Sequence, residues 1–382
     1  MPGNFKNIIS RHIKNSFGWT TKRKLIVFTV DDYGAVRIAS KKARENLLAK
    51  GVRVDSNKFD MFDGLEDPED LSRLFDTLNS VKDSNGSPAI FTAMSLPANP
   101  DFERMIEERF SHYRYELLTE TWKKIPGYEG NGRIWQQGIE NHLILPQFHG
   151  REHLNVKFLM EALRLGDKDT MACFENRSYG AISVKLFPSI NYVAAFDFEN
   201  YSENEALKEI ALDGLSAFES VFKLRARHFA SPGRREHKII SESLNEAGII
   251  YLDSDMIRKE HQGNGKYKWA VDYTGKMNAL KQIYLVRNVV FEPEPSDSFD
   301  WIGYCMKQID IAFRWKKPVN ISSHRVNFSG HIDPENRNRG LLKLGQLLKE
   351  IVKRWPDAEF ITSVQLGDMI RESNQAIYNT GN

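Results

Sequence analysis

Short β-branched apolar runs recur along this chain, separated by longer stretches whose apolar residues fall at helical spacing. The clearest run, LIVFTV at residues 25–30, lacks polar alternation and predicts a strand buried on both faces. Helical periodicity follows over residues 35–50 and stops at Gly51. Further strands are expected at 57–62, 89–95, 143–148, 192–198, 227–230, 248–252, 283–291, 319–323 and 359–362. Helices are expected at 68–81, 153–165, 203–223, 235–247, 298–315 and 339–355. Residues 108–142 interrupt the rhythm; aromatic and Gly-rich, they read as an insertion or lid.

Strand–helix alternation with no linker-like segment argues for one α/β domain over residues 24–372, with an N-terminal arm at 1–23 and a flexible tail at 373–382. No Gly-x-Gly-x-x-Gly turn follows the first strand, which speaks against a dinucleotide-binding sheet. Polar clusters recur just after strands, as they do at the C-terminal mouth of a parallel (β/α) barrel. The arm can form an amphipathic helix with Phe5, Ile8, Ile9 and Ile13 on one side, expected to cover a barrel end.

Composition narrows the chemistry. Two cysteines, Cys173 and Cys305, exclude a zinc site made of cysteines alone and argue against a disulfide framework. Net charge is +2 with interleaved signs, so no nucleic-acid stripe is expected. No stretch is long and apolar enough to span a bilayer, no secretory signal core stands at the N-terminus, and a cytoplasmic protein is expected.

Asp31-Asp32 is the only Asp-Asp pair in the chain and ends the first strand. Carboxylates so close repel unless a cation intervenes, and at a strand end both can turn to one pocket; a helix-capping turn is the ordinary alternative. His149 and His153 follow another strand, with Pro146 before them and Gly150 between, so His149 should end the strand and His153 begin the next helix. His324 ends a third apolar strand and can protonate a leaving group. Ser231-Pro232-Gly233 turns sharply out of a fourth, exposing N–H groups that can hold an oxyanion; an ordinary loop would look the same. Asp253 and Asp255 follow a fifth, and supply the weakest of these signals. One Asp with two His makes a three-ligand set suited to zinc or a similar divalent ion. Together with a carboxylate base and a His acid, this is a kit for metal-assisted acyl hydrolysis.

The order of these segments resembles the polysaccharide deacetylase family, also called NodB-like or carbohydrate esterase family four. The resemblance spans roughly residues 25–363 and rests on Asp31-Asp32, His149-x-x-x-His153 and Ser323-His324, with looser likeness at residues 230–233 and 253–255. It implies a distorted (β/α) barrel of seven strands, with Asp31 as base and Asp32, His149 and His153 as metal ligands. It also implies His324 as acid, and an acetylated polysaccharide or oligosaccharide as substrate, N- or O-linked. Zinc is the implied ion, with cobalt, nickel or manganese as alternatives. This chain departs from the pattern. Gly150 stands where Ser or Thr is usual, no Trp follows Asp255, and the third motif lacks the Arg that holds the base. Arg227, Arg234 or Arg325 is the expected replacement; Arg325 is also expected to contact substrate, while Tyr128, Trp135 and Phe148 are candidates for stacking on sugar rings.

Two rivals use the same letters. His149-x-x-Glu152-His153 reads as an inverted zinc-peptidase motif with Glu152 as base, which requires one continuous helix through both histidines. A barrel that binds metal or glycan without turnover is the other.

Overall fold

The computed structural model describes residues 5–180, 192–293 and 299–380. Its main sheet contains β1 (Lys24–Tyr33), β2 (Phe91–Ser95), β5 (Ile144–Phe148), β6 (His228–Phe229), β7 (Tyr251–Ser254), β10 (Ile283–Val286), β11 (Val289–Val290), β12 (Val319–His324) and β13 (Ala358–Phe360). Two small antiparallel pairs lie apart from it: β3 (Ala98–Pro100) with β4 (Tyr115–Leu117), and β8 (Ile257–Gly263) with β9 (Lys266–Val271).

The main sheet is parallel, in the order β10-β7-β6-β5-β2-β1-β12-β11, with β13 pairing the start of β1. Eight strands therefore form the path, where seven were expected. The extra one comes from residues 283–291, which the apolar pattern reads as a single strand. They make two: β10 pairs with β7 at one edge, and β11 pairs with β12 at the other. Only Arg287 and Asn288 separate them, so the sheet curls until two residues bridge its edges.

Strand alternation explains how this barrel presents a polar mouth. In β1, Ile26, Phe28 and Val30 join the large core beneath the surrounding helices. Leu25 and Val27 point the other way, packing with Ile283, Leu285 and, from the last helix (Ser363–Thr380), Leu366 and Ile370. Further along the inner row come Thr29, hydrogen-bonded to Asn320 (2.7 Å), and then Asp31. Apolar residues thus fill the lower barrel, and carboxylates begin where the filling stops. The plug is the last helix rather than the N-terminal one. The helix Phe5–Ser16 packs on the helix Trp301–Arg314 through Arg11, stacked on Tyr304, and His12, which accepts from Trp315. Its Ile9 and Ile13 are exposed, and the side chains of Phe5 and Ile8 lie outside the described residues.

Local chemistry overrides several expected elements. Residues 57–62 form a helix (Lys58–Phe62), because the Asn57 side chain caps it by accepting from Asp60 N–H (3.1 Å). Residues 192–198 make turns instead of a strand: the Asn155 amide donates to the Asp197 carbonyl (2.6 Å), and Asp197 N–H bonds back to Ala194 (3.0 Å). That same Asn155 caps the helix Val156–Arg164, so His153 precedes this helix instead of opening it. In the 108–142 stretch, Asn131–Glu140 is a helix whose Trp135 is buried. The backbone of the last helix continues through residues 373–380; residues 381–382 lie outside the described ones. Among the described residues no helix is long and apolar enough to cross a membrane.

His228, in β6, is fully buried with Nδ1 2.8 Å from Ser363 Oγ. Burial pushes its pKa from 6.5 down to about 4. The unfolded chain therefore takes up a proton that the folded state refuses, so this contribution to stability is complete above pH 6.5 and is lost as pH falls toward 4. Urea midpoints should drop across that window by the equivalent of about 3 kcal/mol, and the drop should flatten in His228→Asn. An unchanged acid slope in the variant would contradict this origin.

Candidate active site

The mouth of the barrel opens on a cavity of about 770 Å³ whose floor holds Asp31, Asp32, His149, His153 and His324. All five stand within or just beyond the C-terminal ends of β1, β5 and β12.

Two adjacent aspartates reach one cavity because β1 is irregular at its end. Its register with β2 shifts between Val30 and Tyr33, and Asp32 takes φ +79°, so the alternation that would turn Asp32 outward is broken. Asp32 Oδ1 then lies 3.4 Å from His149 Nε2 and 3.2 Å from His153 Nε2. One ligand-capable atom from each of the three residues lies within 4.8 Å of the others. Burial would raise the Asp32 carboxyl, but His153 and His149 hold it well below the carboxylate range.

The histidine pair is aimed by its turn. His149 Nδ1 faces the Ala230 carbonyl at 2.7 Å; a carbonyl only accepts, so Nδ1 donates there and Nε2 is the nitrogen turned toward Asp32. That Nε2 is buried without a hydrogen-bond partner. Gly150 has φ +93°, and a Cβ there would stand 3.1 Å from Pro232 Cγ, which accounts for glycine in place of Ser or Thr. No helix runs through 149–155, and Glu152 is buried in a two-pronged pair with Arg151 (2.7 and 2.9 Å). The inverted peptidase reading therefore fails: its helix does not exist and its base is occupied.

Asp31 is held by Arg287, with two bonds of 2.7 Å, not by Arg227, Arg234 or Arg325. Burial would raise the Asp31 carboxyl, yet Arg287, with help from His149 and His324, keeps it far below the usual range. Arg287 Nε donates onward to Asp253 (2.9 Å), and Asp253 also accepts from Arg234, which in turn pairs with Asp255. Asp253 and Asp255 thus serve an ion-pair chain behind Asp31.

His324 Nδ1 donates to Glu292 (2.6 Å), leaving Nε2 3.7 Å from Asp31 Oδ2. Burial would lower this imidazole, but Glu292, Asp32 and Asp31 raise it to about 9. Glu292 is itself fixed by Lys58 (2.6 Å) and Asn327 (2.7 Å). Ser231 and Gly233 line the cavity, Ser231 with an unpartnered buried hydroxyl. Pro232 packs against Gly150 beside them.

Arg325 does not join the cavity. Buried, it bonds Asp63 (2.8 Å) and Glu66 (2.9 Å), and Glu66 accepts from Gly34 N–H (3.1 Å), which ties the loop after β1 to the end of β12. Tyr128, Trp135 and Phe148 are likewise buried in the core and cannot stack on a ligand.

No family model and no curated protein matches this sequence. Solved structures do. A Mycobacterium smegmatis protein described as a polysaccharide deacetylase is 12% identical with a TM-score of 0.45, the match covering 94% of each chain. Puue allantoinase is 11% identical with a TM-score of 0.46, over 92% of this chain and 91% of that one. A point mutant of the peptidoglycan deacetylase PdaC from Bacillus subtilis is 10% identical with a TM-score of 0.37, over 94% of this chain and 96% of that one. Similarity at this level says nothing about activity by itself, so function must be argued from the side chains.

Sequence reasoning missed Arg287, Glu292 and Asn327. A signal existed for the first: Arg287 is the lone charge inside the apolar run YLVRNVVF. A cation there requires a buried anion as partner.

Proposed function

We propose that this protein is a metal-dependent hydrolase that removes acetyl groups from a carbohydrate. The observation that carries the reading is the convergence of Asp32, His149 and His153, with Asp31 and His324 beside them on the same cavity floor. The donor set suits a divalent ion such as zinc: one carboxylate and two imidazoles, one of them oriented by a backbone carbonyl and with its other nitrogen otherwise orphaned. Such an ion, when bound, supplies Lewis-acid polarisation of an acyl carbonyl.

The chain's own residues do the rest. Asp31, anionic and oriented by Arg287, accepts a proton from the water that attacks the acetyl carbon. The Ser231 hydroxyl and the backbone N–H groups of Ser231 and Gly233, two residues that line the cavity, would hold the developing oxyanion. His324, cationic at neutral pH because Glu292 backs it, protonates the departing amine or alcohol as the C–N or C–O bond breaks. Carboxylate and imidazole then exchange the acquired proton and return to their starting states.

The test is acetate release from O-acetylated xylan and N-acetylglucosamine oligomers by the purified chain, before and after chelation and after restoring zinc or cobalt. Release should vanish on chelation and return with the ion. A rate indifferent to complete metal removal would overturn the reading.

A further inference from the structure

The hairpin β8–β9 displays an apolar face that the hydrolytic reading leaves without a purpose. Across this ladder Ile257, Lys259 and His261 stand opposite Val271, Trp269 and Tyr267. Directly opposed residues share a face, so these six form one surface. At its turn the hairpin is anchored: His261 packs on Phe198 with centroids 4.4 Å apart, and Asn264 N–H bonds the Glu199 carbonyl (2.7 Å). Away from the turn the face is bare. Trp269 is 62% exposed, Ile257 60% and Val271 55%. A contiguous exposed patch of this kind marks a binding surface more often than chance packing.

Its position decides what binds. Ile257, Lys259 and Tyr267 line the same cavity that holds Asp31 and His324. The row nearer the cavity therefore continues outward, across the ladder, into Trp269 and Val271. Lys259 Nζ lies over the Trp269 ring, 4.7 Å from its centroid, which steadies the indole and leaves ammonium protons free for hydroxyl groups. Among the described residues Lys259 makes no ion pair. Flat rings flanked by a hydrogen-bond donor suit a sugar, whose C–H face is apolar and whose edge is polar. From Tyr267 to Val271 the strand rises through four residues, about 13 Å, so the face is longer than one sugar ring.

We propose that the β8–β9 hairpin is a distal sugar-binding platform, with Trp269 and Tyr267 as stacking residues that hold a unit of the glycan other than the one that reacts. This rests on the deacetylase reading for the identity of the reacting group, but not for the binding itself.

The experiment compares one-unit and five-unit ligands of β-1,4-linked N-acetylglucosamine and of O-acetylated xylose, using the full chain. Binding is followed by calorimetry, and acetate release in parallel. In at least one series the pentamer should bind about tenfold or more tighter than the single sugar, matching roughly one good stacking contact. Trp269→Ala should erase that length preference, raising KM for the pentamer with kcat and single-sugar kinetics unchanged. Trp269→Phe should retain most of it. Leu342→Ala, an equally exposed site (62%) on the helix Pro334–Arg354, serves as control and should change nothing.

Equal affinity for both lengths, no binding in either series, or a pentamer affinity untouched by Trp269→Ala would overturn the platform. So would a Trp269→Ala variant that loses only self-association or vesicle binding. Acetate release without length preference would sink the platform and leave the deacetylase reading standing. Trp269-dependent chain binding without acetate release in any metal-loaded sample would do the reverse.

Discussion

His149→Ala should lower acetate release by about three orders of magnitude, since forfeiting ~4 kcal/mol of charge stabilisation raises the barrier by that factor. Two things go with the imidazole. The ligand set falls from three residues to two, and the Ala230 carbonyl loses its donor. The structural cost should be modest, because Phe148 and Gly150 on either side keep their backbone pairing and packing. Bound zinc, counted per chain after desalting, should therefore fall with activity while the far-UV spectrum stays unchanged. His149→Gln should recover little, as its amide cannot present an imidazole lone pair at the same place. A variant that keeps both its ion and its rate would remove Asp32, His149 and His153 from consideration as a metal centre.

Arg287→Ala should be the most destabilising substitution in the site, costing about 3–5 kcal/mol in urea unfolding, because it strips two buried carboxylates of one shared counter-ion. Asp31 loses both its 2.7 Å bonds, and Asp253 keeps only Arg234. Arg287→Lys should recover part of the stability. A single ammonium can neutralise charge, but cannot bond two carboxylates through a planar fork. Activity should fall in both variants, because Asp31 would no longer be oriented. A loss below about 1 kcal/mol in the alanine variant would mean the carboxylates find compensation elsewhere, against the usual cost of an unpaired buried charge.

Much of the fold was legible because alternation of apolar runs and helical stretches is a local property. The run at 25–30 becomes β1, and the strand-end clusters do converge at one mouth. What failed were segments where one side chain outvoted the pattern. Asn57 caps a helix where a strand was expected, and Asn155 gathers the carbonyls of 194 and 197 into turns. The aspartate pair and the histidine pair were legible because a strand end, a proline and a glycine bracket them. The counter-ion of Asp31 was not legible from spacing. Arg287 lies 256 residues away, on a strand that no periodicity splits in two. Arg325, by contrast, looked functional because it follows His324, whereas its guanidinium turns down to Asp63 and Glu66. Adjacency in sequence says little about direction where a strand gives way to a 3₁₀ turn.

The two residues that bridge the edges of the sheet tie architecture to electrostatics. Arg287 stands at the seam where β10 gives way to β11, and the same guanidinium clamps Asp31. The sheet cannot open at this seam without freeing the Asp31 carboxylate, so a half-assembled chain leaves Asp31 unoriented. The floor of the cavity is complete only once that last stitch of the wall is in place, so damage there would reach the fold and the cavity together.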